Sequence, residues 1–283
     1  MEKMALKSEF WNGKKVLLTG HTGFKGSWLS LWLKKLGVEL IGYSKDIPST
    51  PSHFELARVS ENMISILGDI KDIDNLKKIM TEHKPEIVIH MAAQSLVRKS
   101  YENPIDTFET NVLGTANLLQ VVKENEDTRV FVNVTSDKCY ANTSNEISGF
   151  SEDSPMGGYD PYSSSKGCAE LVTSAYRNSF FNSNEFENHK VSLSSVRAGN
   201  VIGGGDWSKN RLIPDSIRSS IKRDSPTTHT CLVLCSIANN PLAGTLTILS
   251  EKGPYFISMG LPCHNMCMIC MVGSGILTYS LAE

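Results

Sequence analysis

Short apolar runs alternate with segments of helical periodicity along the chain up to about residue 196. Six apolar runs of strand length predict buried strands at residues 15–19, 39–43, 64–67, 87–90, 129–135 and 191–196. Longer periodic segments predict helices between the strands, at residues 73–84, 107–123 and 162–181. Strands that alternate with helices favour an α/β fold with a doubly wound parallel sheet and right-handed crossovers. Ligands of such sheets bind beyond the carboxyl ends of the strands.

A further helix is predicted directly after the first strand. Five apolar residues recur there at helical spacing: Trp28, Leu29, Trp32, Leu33 and Leu36. Gly37 follows them at the position where a glycine commonly ends a helix, and Pro85 ends the helix predicted at residues 73–84.

Composition is that of an ordinary globular chain. Of the 283 residues, 40% are hydrophobic and 20% are charged, which excludes a disordered protein. The formal net charge of −2 argues against a nucleic-acid-binding face, and no apolar run is long enough to span a membrane. There is no secretory signal at the start, so the seven cysteines are expected to be reduced thiols of a cytoplasmic protein.

A glycine-rich loop follows the first predicted strand. Gly20, Gly23 and Gly26 have the spacing G-x-x-G-x-x-G and lead into a helix. Glycine permits a tight turn and a close approach of the backbone to a pyrophosphate, and the helix N-terminus adds N–H donors. A strand, a glycine loop and a helix in this order are typical of a Rossmann-type dinucleotide site. Thr22 and Phe24 lie in the same loop and are also predicted to contact the cofactor.

The residues after the second strand bear on the choice of cofactor. A carboxylate that binds the adenine ribose at this position favours NAD. Ser44 lies near this position and Asp46 follows it. Lys25 and Lys45 are nearby cations, which would favour NADP, although surface lysines are common. The balance favours NAD.

The ends of the third and fourth strands supply the remaining cofactor candidates. Asp69, followed by Ile70, either accepts a hydrogen bond from the adenine amino group or serves as a helix N-cap or turn residue. Ala92 and Ala93 are small enough to let the backbone pass close to the cofactor. Two further candidates are Gln94, predicted to bind substrate, and Asn111, which either bonds to active-site backbone or is exposed.

Tyr162 and Lys166 form a candidate catalytic pair. They are four positions apart on a predicted helix, so they share one face with Cβ atoms about 5–6 Å apart. A lysine cation favours the phenolate and lowers the pKa of the tyrosine below about 10. Such a tyrosine can remove the proton of a sugar hydroxyl while hydride leaves for NAD, and the lysine can also hold the cofactor ribose.

The fifth predicted strand ends in a polar turn. Ser136 can hydrogen-bond the reacting hydroxyl beside Tyr162. Asp137 and Lys138 add an acid and a base that a simple dehydrogenation does not need; the alternative is an ion-paired surface turn. Their position at the carboxyl end of a strand favours a catalytic role.

Seven stretches of the sequence carry a family resemblance: LLTGHTGFKGSWLSLWL, PEIVIHMAAQSLVR, NVLGT, VTSDKCY, PMGGYDPYSSSKGCAELV, SVRAGNVIGGGDW and RLIPD. Through them residues 11–223 resemble the extended short-chain dehydrogenases/reductases and, more narrowly, the CDP-glucose 4,6-dehydratases of bacterial O-antigen and lipopolysaccharide biosynthesis. SDKCY has Lys138 where the dTDP-glucose relatives have a glutamate, and GHTGFKGSWL is characteristic of the CDP-glucose branch.

The resemblance implies an NAD-dependent lyase that converts CDP-glucose to CDP-4-keto-6-deoxyglucose. The implied reaction is oxidation at C4, loss of water across C5–C6 and return of hydride to C6. A homodimer or higher homo-oligomer is also implied. For the cofactor, the resemblance implies that Gly20, Gly23 and Gly26 bind the pyrophosphate and Asp69 the adenine. For catalysis, it implies that Tyr162 and Lys166 carry out the oxidation with Ser136, that Asp137 protonates the leaving 6-hydroxyl, and that Lys138 moves the C5 proton. For the substrate, it implies that Asn200 and Arg211 bind the nucleotide-sugar.

The resemblance stops after Arg223, where composition also changes. Residues 224–283 contain four of the 58 charged residues and five of the seven cysteines. We therefore expect an NAD-binding Rossmann domain with the start of a substrate-binding region at residues 1–223. The atypical, cysteine-rich tail at residues 224–283 would truncate or replace the small substrate domain, and a frameshift is one hypothesis for its origin.

The tail raises two further points. Cys263, Cys267 and Cys270 have C-x3-C-x2-C spacing, but no fold follows them to hold a cluster, so no metal site is predicted.

Two alternative functions stay open: another nucleotide-sugar epimerase or reductase of the same fold, and a truncated protein that binds NAD without turnover. The Asp137–Lys138 pair argues against an epimerase, because an epimerase needs no acid at C6.

Overall fold

A computed structural model describes residues 8–141, 149–211, 213–216 and 218, and the backbone of three strands between residues 232 and 259. The chain divides into two compact units, Met1–Ala198 and Gly199–Glu283. The compositional boundary at residues 223 and 224 lies outside the described residues and stays a prediction.

The first unit is built on a six-stranded parallel sheet with the order β3-β2-β1-β4-β5-β6. Its strands are β1 (Lys15–Thr19), β2 (Glu39–Ser44), β3 (Ile64–Leu67), β4 (Ile87–His90), β5 (Val130–Val134) and β6 (Ser192–Val196). All six predicted strands are confirmed, and so is the Rossmann-type doubly wound class. The strand order reverses direction between β1 and β4, which is where ligands of such sheets bind.

Along the chain, a short helix precedes β1 and the other helices of this unit lie between successive strands of the sheet. They are α1 (Ser8–Trp11), α2 (Phe24–Lys35), α3 (His53–Leu56), α4 (Ile73–His83), α5 (Val97–Glu102), α6 (Pro104–Phe108), α7 (Gly114–Lys123), α8 (Pro161–Ser179) and α9 (Phe186–His189). Short 3₁₀ turns lie at Asp137–Cys139 and Ser183–Glu185. Sequence periodicity predicted the long helices but missed α1, α3, α5 and α9, which are too short to show a period.

The segment predicted as one helix at residues 107–123 differs from the observed structure in where it begins and in a break within it. The helical segment begins earlier, at Pro104, which suits the first position because its missing N–H has no partner there anyway. A π-helical turn, Glu109–Leu113, separates α6 from α7. The turn buries Asn111, so the interpretation of this residue as exposed is excluded.

Successive residues of β1 point to opposite faces of the sheet and enter two separate cores. Leu17 packs with Val88, Leu118 and Phe131 on one face. On the other face lies a second cluster that contains Val16, Leu18, Leu33, Leu40 and Ile87. Because both faces are covered, the central strands are apolar along most of their length.

The buried face of α2 is made of small residues rather than tryptophans. Gly26, Ser27, Ser30 and Leu33 are buried, which lets the α2 backbone approach the sheet closely. Trp28 and Trp32 are 42% and 45% exposed, so they lie away from this buried face. Helical spacing therefore predicted the helix correctly but not which face packs inward.

The second unit contains three antiparallel strands, β7 (Leu232–Ile237), β8 (Gly244–Ser250) and β9 (Gly253–Met259), in this order. The sequence showed no period here, so these strands were missed. Cys263, Cys267 and Cys270 lie outside the described residues. In the part of the chain that the structure describes, none of the helices is long and apolar enough to cross a membrane, and no cluster of potential ligands suits a metal ion.

Candidate active site

The glycine loop at the end of β1 is packed so tightly that side chains are excluded at two positions. Gly20 has a φ of +76°, and a Cβ atom there would lie 2.8 Å from the backbone of Met91 and Ala92. A Cβ atom on Gly26 would collide with the carbonyl oxygen of Gly20. Gly23 is the N-cap residue of α2 and has no side chain to cap the first-turn amides. The loop therefore has the shape expected of a pyrophosphate cradle.

The end of β2 supports this loop. Ser44 Oγ accepts a hydrogen bond from Thr22 N at 3.3 Å and bonds His21 Nδ1 at 2.9 Å. Thr22 Oγ1 donates to the carbonyl of Asp46 at 2.6 Å. The other ring nitrogen of His21 bonds Ser65 Oγ at 2.7 Å. Burial lowers the pKa of His21 to about 4, so this ring is neutral at pH 7.

Asp69 lies in a turn at the end of β3. Its Oδ1 accepts a 3.0 Å bond from Lys71 N, and its Oδ2 pairs with Lys45 Nζ at 3.1 Å. Burial alone would raise the pKa of Asp69, but these two partners outweigh it and lower the pKa. The N-cap of α4 is Asp72, so the turn-residue interpretation of Asp69 holds, and its adenine contact stays a prediction. Ile70 is buried in the core.

A buried histidine, which the sequence analysis did not single out, organises the loop after β4. Thr19 Oγ1 accepts bonds from Met91 N at 3.0 Å and Ala92 N at 3.1 Å, so its own proton points to His90 Nδ1 at 2.8 Å. His90 Nε2 then donates to Thr115 Oγ1 at 3.1 Å. Burial, and secondarily Lys166, lower the pKa of His90 to about 3. Only the sheet order reveals this network, because β1 and β4 are distant in sequence.

Asn111 ties the same loop to α8. It donates to the carbonyl of Gln94 at 3.0 Å and to Ser165 Oγ at 2.8 Å, and it accepts from Gln94 N at 2.8 Å. The side chain of Gln94 is itself bonded to Leu96 and to Thr107 Oγ1. Substrate binding by Gln94 stays a prediction, while its observed bonds shape the loop that contains Ala92 and Ala93.

Tyr162 and Lys166 lie on the first turns of α8. Asp160 caps this helix by accepting from Ser163 N at 3.0 Å, and Tyr162 N bonds Ser100 Oγ at 3.1 Å. Both candidate side chains are buried. Burial, followed by the nearby Lys25 cation, lowers the pKa of Lys166 to about 8.

The turn after β5 packs against α8. Ser136 Oγ donates to Asp137 Oδ1 at 3.1 Å and accepts from Lys138 N at 3.3 Å. The carboxylate of Asp137 and the ammonium of Lys138 are 3.9 Å apart and about 40% and 38% exposed. Both charged groups therefore face solvent at the carboxyl end of the sheet.

Two predicted substrate residues lie in the second unit. Asn200 is exposed, and Arg211 pairs with Asp206 at 2.9 Å. The other predicted site residues all lie in the first unit, at the ends of β1, β3, β4 and β5, in the adjoining loops and on α8.

The comparison with protein families covers the same part of the chain. The family model described as GDP-mannose 4,6 dehydratase matches residues 17–189, which is more than half of the sequence. The chain belongs to the GDP-mannose 4,6 dehydratase family. The residues that match this family include the glycine loop, the Ser136–Lys138 turn and the Tyr162–Lys166 pair.

Individual relatives are dehydratases of nucleotide sugars. The chain is 59% identical to the CDP-glucose 4,6-dehydratase of Salmonella typhimurium over 76% of its own length and 59% of that protein. It is 30% identical to the dTDP-D-glucose 4,6-dehydratase of Dictyostelium discoideum over 76% of its length and 50% of that protein. The match thus spans between half and three fifths of the length of these relatives.

Among solved structures, the fold matches the dTDP-glucose 4,6-dehydratase DesIV from Streptomyces venezuelae, which was crystallised with NAD. The TM-score is 0.64 at 25% identity, and the match covers 75% of this chain and 63% of DesIV. This likeness agrees with the Rossmann-type fold of the first unit.

Proposed function

We propose that this chain is an NAD-dependent dehydratase that converts CDP-glucose to CDP-4-keto-6-deoxyglucose. One observation carries the proposal: α8, with the buried Tyr162–Lys166 pair, packs against a turn that offers a separate acid and base, Asp137 and Lys138. Two sets of acid–base groups suit an oxidation followed by an elimination. The 59% identity to a CDP-glucose 4,6-dehydratase supports CDP-glucose as the substrate.

The glycine loop fits a dinucleotide. Gly20 and Gly26 leave no room for side chains, so the backbone itself forms the surface that a pyrophosphate would contact. When bound, NAD would accept hydride from C4 of the sugar and return it to C6. Gly20, Thr22, Gly23 and the first turn of α2 would hold its pyrophosphate.

Tyr162 would start the reaction. Its phenolate oxygen would take the proton of the C4 hydroxyl, and the Lys166 cation favours that phenolate. Ser136 would hydrogen-bond the same hydroxyl and orient it. The lowered pKa of Lys166, about 8, means that this cation is present at neutral pH and is lost in mild alkali.

Asp137 and Lys138 would then remove water. A ketone at C4 acidifies the C5 proton. Once a proton has passed from the Lys138 ammonium to the neighbouring Asp137 carboxylate, the freed amine would accept the C5 proton. The electrons of the C5–H bond form the C5=C6 bond, the C6–O bond breaks, and Asp137 protonates the departing oxygen. As hydride returns to C6, Lys138 would give its proton back to C5. The proton held by Tyr162 would then replace, through solvent, the one that the Asp137–Lys138 pair gave to the departing water, so the chain is unchanged after one cycle.

Further parts of the proposal concern assembly and location. Apolar side chains are exposed around α8: Ile105 by 69%, Leu113 by 56% and Leu171 by 60%. Exposed apolar side chains on neighbouring elements favour burial against another protein, which supports a homodimer. Cys139 and Cys168 are free thiols, which suits a reducing compartment and supports a cytoplasmic location. The role in O-antigen synthesis rests on the resemblance to CDP-glucose 4,6-dehydratases alone.

The test is a turnover assay on the purified full chain. We expect 4-keto product, followed by its absorbance in alkali, from CDP-glucose with added NAD and much less from dTDP-glucose. Tyr162→Phe should abolish the product while NAD still binds. Soluble chain that binds NAD but makes no product would overturn the proposal and favour a nucleotide-binding protein without turnover. Epimerised CDP-glucose without loss of water would instead favour an epimerase.

A further inference from the structure

A largely buried ion pair connects α8 with the end of β6. Arg197 Nε donates to Glu170 Oε1 at 2.9 Å, and its Nη2 donates to Oε2 at 3.2 Å. The two side chains are 19% and 5% exposed, respectively. Glu170 is one helical turn beyond Lys166, on the same helix that carries the candidate catalytic pair. A two-pronged pair of this kind fixes orientation as well as distance.

Each partner of this pair also holds one end of the turn after β5. Thr135, immediately before the turn, donates its hydroxyl proton to Glu170 Oε1. Arg197 Nη1 donates to the hydroxyl of Tyr140 and to the carbonyl of Glu152, both at 2.9 Å. The Arg197 guanidinium also lies 5.0 Å from the centre of the Tyr140 ring. Thr135 and Tyr140 therefore bracket Ser136–Lys138.

The turn has weak bonds of its own. Its internal bonds range from 3.1 Å, between Ser136 Oγ and Asp137 Oδ1, to 3.4 Å, from Tyr140 N to the Asp137 carbonyl. Asp137 and Lys138 are partly exposed and 3.9 Å apart. Groups outside the turn therefore contribute to their position. Besides the ion pair, the Ala198 carbonyl accepts from Asp137 N at 3.1 Å, and Gly157 N donates to the Cys139 carbonyl at 2.8 Å.

The charges of the pair are maintained despite burial. Burial alone would raise the pKa of Glu170, but the bonds from Arg197 and Thr135 outweigh it and lower the pKa. The pKa of Arg197 is raised, chiefly by its bond to Glu170. Both groups are ionised at neutral pH, so removing one charge leaves the other buried and uncompensated.

We propose that Glu170 and Arg197 are positioning residues that hold the Asp137–Lys138 acid–base turn in register with Tyr162 and Lys166 on α8. The inference rests on the proposed dehydration. It assigns the pair chiefly to the water-loss step, because Asp137 and Lys138 act there, whereas Ser136 is the one residue of the turn that acts in the oxidation.

Hydrogen exchange measured by mass spectrometry on the full chain tests the positioning without any substrate. The variants are Glu170→Gln and the milder Tyr140→Phe, which removes one acceptor of Arg197 and keeps the ion pair. Glu124→Gln is the matched control, because Glu124 pairs with Lys77 at 3.0 Å on the surface. We expect residues 135–141 to exchange about tenfold faster in Glu170→Gln, relative to β1 and β4, and less so in Tyr140→Phe. Unchanged exchange of residues 135–141 in both variants would overturn the proposal.

Kinetics test the assignment to water loss. A displaced turn should lower kcat for CDP-glucose by about 100-fold in Glu170→Gln, with KM and the Kd of NAD nearly unchanged. In a single turnover, the decay of the reduced-nicotinamide absorbance should slow by a much larger factor than its rise, because Asp137 and Lys138 act in the decay and only Ser136 acts in the rise. An equal slowing of rise and decay would contradict the assignment. If the wild type makes no product, the proposed function fails, while the exchange result still decides the positioning.

Discussion

The side-chain amide of Asn111 donates a 2.8 Å hydrogen bond to the hydroxyl of Ser165, which lies between Tyr162 and Lys166 on α8. The same hydroxyl donates to the carbonyl of Tyr162 at 2.7 Å. Because Asn111 also bonds both backbone groups of Gln94, one amide joins the loop after β4 to the helix that carries the candidate catalytic pair. The π-helical turn makes this possible by directing Asn111 inward.

Replacing Asn111 should therefore destabilise the fold. Asn111→Ala leaves the buried N–H and carbonyl of Gln94 without this partner, and we expect a loss of about 2–4 kcal/mol in the free energy of unfolding. Urea denaturation measures this loss. The matched control is Asn117→Ala on α7, where a 3.1 Å bond to the Lys71 carbonyl is lost at a partly buried site and a smaller effect is expected. Equal losses in the two variants would contradict the special role of Asn111.

The glycine loop makes a graded prediction for cofactor binding. Gly26→Ala places a methyl group against the Gly20 carbonyl and should weaken NAD binding at least about tenfold, with a stability loss of about 1–3 kcal/mol. Gly23→Ala meets the same carbonyl at 3.3 Å and should have a milder effect. Calorimetric titration with NAD measures both.

Gly149→Ala serves as the control for this series, because nothing lies within 4 Å of the added atom. Its NAD affinity should equal that of the wild type. Wild-type affinity in Gly26→Ala would show that the loop can move away and is not a fixed cradle.

Two buried histidines of the first unit, His21 and His90, predict how stability depends on pH. The pKa of His90 is lowered to about 3 and that of His21 to about 4, so below pH 6.5 the unfolded chain binds protons that the folded chain does not. The free energy of unfolding therefore falls as the pH drops from about 6.5 toward 4, by roughly 1.4 kcal/mol per pH unit for each histidine.

Urea denaturation of the wild type and His90→Gln over this pH range measures the effect. Glutamine cannot take up the proton, so the variant should be less stable at neutral pH but should lose less stability on acidification. Parallel pH curves for the two proteins would rule out His90 as a source of acid sensitivity.

Lys166 predicts an alkaline limit to activity, given the proposed function. Its pKa of about 8 arises first from burial and then from Lys25, so the cation that supports the Tyr162 phenolate is lost above that pH. Lys25→Met should raise the pKa of Lys166 and move the alkaline fall in kcat to higher pH. Lys35→Met, at the exposed end of the same helix, is the control. An unmoved alkaline limb in Lys25→Met would remove Lys25 as its cause.

Local patterns were sufficient for the framework of the first unit. The apolar run at Lys15–Thr19 and the glycine spacing after it predicted β1, the loop and the start of α2. The four-residue spacing of Tyr162 and Lys166 placed both on one helix face. Such features depend on neighbours within one turn or one strand, which is the range over which periodicity and turn chemistry act.

Tertiary structure decided which faces pack and how polar groups are paired. Helical spacing could not show that α2 turns its small residues to the sheet and leaves Trp28 exposed. His90 meets Thr19 only because β4 lies beside β1, and Glu170 meets Arg197 only because α8 packs beside β6. Burial makes an unpaired polar group costly, so these partners are set by the sheet order that brings distant residues together rather than by any local pattern.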